Sequence, residues 1–530
     1  MRIVLVFSLW AVVLSALAGT AVNTDTGRIS LAMGAEPPTL FSARTTDAES
    51  MFVLAHIMEG LLQFGENNEL LPGVAKAWQM DEQQVVFKLR TTARWLDGKP
   101  VTAHDFIFAW QTALAPETAA PYGPLLFPIK NAKAIQEGTL TVKALGVSAP
   151  DDYTLVVELD GPCPYFLNLM PFATFLPLRE DVYLEHKQRY AAEVNTLMTN
   201  GAFRLDEWVH GAKLTLNKNN RYWAAETIHL QGIDVPYITN DPSALMNLFR
   251  NEQIAYAGVS GDTYNLAVAS GHELHTFADG FMAYLAFNHR VGRATSNKAL
   301  RQAIANVIDS RVIVNQVLAS PSNKPLYSQF PSAVKAEGGR LNDLYPEQIQ
   351  LPNLAKARAL MAQAKAELGG DIPPLKFLIS DSATAIKLGE YLQFVFKYAL
   401  GLDVYLDKQT FKQRLAQSSA GTFDLVLTNW GPDYDDALTY ADLFASWNSN
   451  NRGRYESAAY DASLTALQSQ VAPKARAQAM LSLRSIIAAD AGIVPLYESG
   501  SIYLQHDNVQ SLYRSGFGGD PNLRFVRLGQ

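Results

Sequence analysis

Between Phe281 and Leu427 the chain repeats one pattern, helix and strand by turns, and this limits its fold more than any other feature. Residues 284–287 read as a strand leading into an amphipathic helix, where Leu300, Ile304, Val307 and Ile308 recur on one face. A second helix over 354–368 ends at Gly369-Gly370, and Pro373-Pro374 precede a strand at 375–379. A third helix over 385–398 comes before a strand at 403–406, and 423–427 is a further apolar strand. Alternation of this kind is the sequence form of an α/β lobe.

At 530 residues the chain is too long for one hydrophobic core and divides into two or three lobes. Its N-terminal half has a different texture. A strand at 28–32 turns at Glu36-Pro37-Pro38, and helical spacing runs over 50–62 and stops near Gly65. A strand follows at 85–90, and Thr102 is placed to N-cap a helix carrying Phe106, Ile107 and Trp110. Two short strands lie within 140–159, separated by a turn at Pro150-Asp151-Asp152.

Arg2, the apolar run at 3–17 and the small residues of 18–21 have the layout of a secretory signal peptide, cut after Ala18 or Ala21. The apolar run falls short of the ~20 residues of a spanning helix. The expectation is an exported, soluble protein of the periplasm. Cys163 is the single cysteine, so no intramolecular disulfide forms. It lies far from the cleavage region, which excludes it as the acylated cysteine of a lipoprotein, and its flanks Pro162 and Pro164 mark it as a small structural residue. The formal charge of -7, with no basic run, gives no support to nucleic-acid binding.

The chemistry concentrates in 421–434, G-T-F-D-L-V-L-T-N-W-G-P-D-Y. A strand leads into Thr428, Asn429 and Trp430, and the Gly431-Pro432 break presents Asp433 beside Tyr434. At a cleft this supplies free backbone groups, a flat ring and one carboxylate, the fittings for an extended peptide with a protonated amino terminus. No phosphate loop, dinucleotide fingerprint or nucleophile elbow occurs, so no enzyme, cofactor or resident metal is expected. His272 and His275 lack zincin spacing. Asp433, Asp435, Asp436 and Asp442 lack the spacing of a calcium loop, and Asp435 or Asp436 is read instead as the cap of a helix starting near Ala437.

Several long blocks carry a resemblance to a known family. They are Met58-Glu59-Gly60-Leu61-Leu62, L-P-G-V-A-K-A-W over 71–78, and F-K-L-R-T-T-A-R-W-L-D-G-K-P-V-T-A-H-D-F over 87–106. Next come N-G-A-F-R-L-D-E-W over 200–208, L-N-K-N-N-R-Y-W over 216–223 and N-K-A-L-R-Q-A-I-A-N-V-I-D over 297–309. In this order they resemble the family 5 extracellular solute-binding proteins of ABC transporters, of the oligopeptide-binding type. The resemblance implies an α/β, periplasmic binding protein-like type II (cluster C) fold, two lobes with a hinge plus an inserted subdomain. Its implied division is a signal peptide at 1–21, lobe one at 22–54 and 182–283, an inserted subdomain at 55–181, lobe two at 284–500, and a return to lobe one at 501–530. A monomer would close on a peptide and dock on the permease subunits of the inner membrane.

By the same resemblance Asp433 holds the ligand's α-ammonium, flanked by Trp430 and Tyr434. Main-chain groups near Asn429 and Gly431 on one side, and Thr45, Thr46 and Asp47 on the other, pair with the peptide backbone. Tyr122 matches a cleft-lining tyrosine, and Tyr284 joins the candidate set. The family's carboxylate anchors, two arginines and a histidine, fall on Ser418, Leu427 and Ile386, so none is kept. Three readings stay open: longer peptides with a solvated C-terminus, a modified or cell-wall-derived peptide, and a cationic non-peptide ligand. A periplasmic sensor or chaperone using the same cleft is a further alternative.

Overall fold

The computed structural model describes residues 21–66, 69–448, 450–514 and 521–529, so the signal-peptide expectation lies almost wholly outside the described residues. No helix among those described is long and apolar enough to cross a membrane.

Two sheets form the frame. The first orders Val22–Asn23, Arg28–Met33, Gly232–Ile238, Lys213–Lys218 and Phe203–Val209. The second, of seven strands, runs Tyr256–Val259, Ile493–Gln505, His275–Phe287, Leu425–Trp430, Leu375–Ser380 and Val404–Gln409, with Lys324–Pro325 also paired to Ile493–Gln505. Its 375–380 strand is parallel to both the 404–409 and the 425–430 strands. The connecting helices, Ala383–Leu400 and Phe411–Ala420, come from the alternation seen in sequence. The ends of these parallel strands are where open α/β sheets place their ligands.

His275–Phe287 and Ile493–Gln505 each run for 13 residues and pair along most of their length. Near one end, 502–505 pairs with the 256–259 strand, and Ala255 N–H donates to Ser30 O at 2.7 Å, joining the first sheet. Their mutual register breaks between Ala278 and Met282, around Gly280 with φ +72°. A two-strand crossing with an irregular middle is a natural hinge.

A third sheet, of Ala75–Met80, Gln84–Leu89, Thr154–Glu158 and Val147–Asp151, is formed wholly within the stretch 75–158. The helix Ala103–Leu114 packs there, capped as expected: Thr102 N–H donates to the Asp105 carboxylate at 2.7 Å. Cys163 is buried in this core, and burial pushes its thiol up to about 12.

The helix expected over 50–62 is shorter, Ala48–Ile57, and Leu62–Phe64 is instead a strand paired with Leu70–Pro72. The cause is tertiary. Met58 turns extended, and Glu59 is drawn into a buried network. Its carboxylate accepts from Tyr222 Oη, from Trp223 Nε1 at 2.6 Å and from Arg524 Nη1 at 3.5 Å. Asn200 exchanges two hydrogen bonds with the Glu59 backbone, at 2.9 and 3.0 Å. Gly201 is required beside it, since a Cβ there would sit 2.4 Å from the Ile57 carbonyl carbon.

Removing one partner of a buried ion pair leaves the other charge stranded, at a cost of roughly 3–5 kcal/mol. Arg524→Met should lower the unfolding free energy by about that amount in urea titration; a change under ~1 kcal/mol would show that the pair is screened by solvent.

Candidate functional site

A cavity of about 340 Å³ opens beside the helix 48–57, against the segment 432–434. Thr46 and Asp47 line one side of it, and Tyr122, Asp433 and Tyr434 another, while Glu59 and Arg524 also border it. Met51, Phe52, Phe64 and Phe172 give it an apolar lining, the composition typical of a small-ligand site with a few placed polar groups.

The 425–430 strand brings the chain to this cavity. It pairs antiparallel with the 275–287 strand along its whole length, from Leu425↔Phe287 to Trp430↔Met282. On its other side the pairing is confined to Leu425 and Val426. Beyond Val426 no ladder pairing continues on this side, so residues 427–430 present one edge without a paired strand among the described residues. Gly431 lets the chain leave this edge under Phe281, whose Cζ would lie 2.5 Å from an added Cβ.

Four acidic residues follow, and the structure treats them differently. Asp435 pairs with Lys335 at 2.6 Å. Asp436 pairs with Arg476 at 2.6 Å and accepts from Leu438 N–H at 3.0 Å, but Ala437 is the N-cap of the short helix Leu438–Ala441 and no side chain caps it, so the cap expected of Asp435 or Asp436 is not formed. No lysine or arginine pairs with Asp433 or Asp442 among the described residues. Burial raises the Asp433 carboxyl to about 6. Burial, then the charges of Asp433 and Asp436, raises Asp442 to about 7. Desolvation, then the Asp433 charge, pushes the Tyr122 hydroxyl up to about 12. Asp433 is thus a half-buried, under-neutralised anion suited to a cation.

The candidate residues divide accordingly. Thr46, Asp47, Tyr122, Asp433 and Tyr434 meet at one cavity. Tyr434 stacks on Tyr165 at 5.7 Å, which fixes the wall there. The Asp47 carboxylate is already used, accepting from Ser50 N–H at 2.8 Å as the helix cap. Thr45 faces inward: both its N–H and its Oγ1 donate to Phe41 O, each at 3.1 Å. Asn429 is exposed and borders a second cavity, and Trp430 is half-buried with its Nε1 unpartnered. Tyr284 is buried elsewhere, in a small cavity with Ser418, Thr428 and Arg452. Sequence reading missed the apolar lining, because its members come from distant segments with no shared motif. His272 and His275 pack edge-on to Phe249 and flat on Tyr503 respectively, and among the described residues no cluster could hold a metal.

Comparison with known proteins agrees with this geometry. The model of the bacterial extracellular solute-binding proteins, family 5, matches residues 69–452. The periplasmic murein peptide-binding protein MppA of Escherichia coli is 30% identical over 473 residues, covering 87% of this chain and 86% of MppA. The oligopeptide-binding protein OppA of Bacillus subtilis is 25% identical, covering 91% and 89%. The solved Haemophilus influenzae OppA in complex with RPPGFSPFR superposes with a TM-score of 0.76 at 26% identity, over 95% of this chain and 99% of that one.

The raised Asp433 pKa has a definite sign. Its folded value, about 6, exceeds the unfolded ~3.9, so the folded state is penalised by the charge above pH 6 and relieved as pH falls toward 4. Asp433→Asn should therefore stabilise the unliganded protein by about 2–3 kcal/mol at pH 8, with the gain nearly gone at pH 4. Paired denaturant titrations at the two pH values measure this, and a pH-independent difference would contradict it. With 384 matched residues (69 to 452) out of 530 and this two-sheet α/β frame, the chain belongs to the family 5 extracellular solute-binding proteins and has their type II binding-protein fold.

Proposed function

We propose that this protein is the exported, soluble substrate-binding component of an ABC importer and captures peptides by their free amino terminus. The observation that carries the reading is the open strand edge at 427–430 ending at the cation-free Asp433. An extended peptide can complete the edge by main-chain hydrogen bonds, which are indifferent to side chains. Its α-ammonium, with a pKa near ~8, then neutralises the half-buried carboxylate. Thr46 and Asp47 offer backbone groups from the opposite wall, and Tyr122 borders the same point.

Closure on the ligand is a population shift between two lobe arrangements about the 278–282 crossing. The protein works as a monomer, docks on the permease subunits and performs no catalysis. It reaches the periplasm through the signal peptide at 1–21, without lipid attachment. The only cysteine, Cys163, is buried, in keeping with this. A cell-wall-derived peptide is the second reading, favoured by the likeness to a protein named for murein peptide binding. Both ligands present an amine to Asp433.

Native mass spectrometry of the protein as purified should release peptides with free amino termini; a single non-peptide mass would discard the substrate while keeping the transport class. In titration calorimetry, N-acetylation should weaken a bound peptide roughly tenfold to a hundredfold, the scale of one charge-assisted hydrogen bond. Asp433→Asn should erase that difference, whereas equal losses for both peptide forms would remove the amine role. Ligand should also shrink the radius of gyration in solution scattering.

A further inference from the structure

The segment 431–441 carries Asp433, and two of its contacts reach the strand crossing at 278–282. Gly431 lies under Phe281, whose Cζ would be 2.5 Å from an added Cβ. Tyr440 Oη donates to Gly280 O at 2.7 Å, within the core. Gly280 stands where the ladder between 275–287 and 493–505 is interrupted, and its φ of +72° is one that glycine adopts without strain. The segment is thus held near both of its ends by consecutive residues of the crossing, 280 and 281.

Inside the segment the two ends are joined as well. Asp433 N–H donates to Thr439 Oγ1 at 2.9 Å, and Thr439 is the residue before Tyr440. Thr439 is 2% exposed and Tyr440 fully buried. Water cannot replace either bond there, and breaking one strands a polar group. A second tyrosine holds the same short helix, 438–441, from elsewhere: Tyr460 Oη donates to Ala441 O at 2.8 Å, again in the core. The two phenols match in chemistry and burial. They differ in that Tyr440 reaches the crossing and Tyr460 does not.

A hydrogen bond of this length is lost with a displacement of about 1 Å. When the crossing turns, the Gly280 carbonyl moves. The Tyr440 hydroxyl then follows it, taking residues 433–440 along, or the bond breaks. Each outcome links the lobe arrangement to the setting of Asp433, and a link of this kind acts equally in both directions. We infer that Tyr440 is a positioning residue whose hydroxyl couples the hold of Asp433 on a ligand ammonium to closure of the lobes about Gly280. The inference rests on the peptide reading and adds how occupancy of the site is passed to the hinge.

The test follows closure with spin labels on Leu184→Cys and Tyr398→Cys, exposed positions on either side of the crossing in the chain, in a Cys163→Ala background. Alanine peptides of three to five residues, with free and with acetylated amines, are titrated into the unliganded protein. Without further change, the free peptides should bind more tightly and, at saturation, shorten the distance between the labels more than the acetylated ones. Tyr440→Phe keeps the ring and removes the hydroxyl. It should make the shortening equal for the two peptide forms and weaken the free one roughly threefold to tenfold. Thr439→Val cuts the same chain at its next bond and should act alike. Tyr460→Phe loses an equivalent bond and should lower the urea midpoint, yet keep the difference in shortening. Equal shortening before Tyr440 is changed, a difference that survives Tyr440→Phe, or its loss in Tyr460→Phe as well would overturn the coupling and leave the peptide reading standing. Absence of binding, or of any preference for the free amine, would overturn both.

Discussion

The buried Glu59 carboxylate is the contact on which the rest of the molecule is arranged. A carboxylate at 1% exposure is tolerable only if it is hydrogen-bonded, and Tyr222, Trp223 and Arg524 donate to it while Asn200 holds the Glu59 backbone in place. Those partners come from two distant stretches of chain, so one residue ties the end of the helix 48–57 to the 200–223 segment and to the C-terminal return. Arg90 adds a further stretch, its guanidinium lying 3.6 Å from the Trp223 ring centroid. The consequence for function is rigidity. Glu59 and Arg524 border the cavity at Asp433, so that wall is held rigid.

Asp433 is the opposite arrangement of the same chemistry. Its neighbours Asp435 and Asp436 are neutralised by Lys335 and Arg476, but nothing of that kind reaches Asp433 among the described residues. The protein thus retains a charge whose cost a bound cation would offset. Every unit by which burial raises the pKa corresponds to about 1.4 kcal/mol available to an incoming ammonium. A neutral ligand gains none of it. This is how a site can be indifferent to side chains along a strand edge and still discriminate at its end.

The sequence blocks that carry the family resemblance proved more informative about scaffold than about ligand. Glu59, Asn200, Tyr222 and Trp223 stand in three of those blocks, and their role is to satisfy one another. The alternation over 281–427 was legible because each strand and helix keeps its own period, and the 375–380, 383–400 and 404–409 elements match it closely. The helix read over 50–62 was overextended because local spacing does not register the pull of a buried network. Asp433 could be found because the Gly431-Pro432 break isolates it. Tyr284 and Thr45 could not be placed from sequence, since whether a strand or turn residue faces a cleft or a core depends on what packs against it.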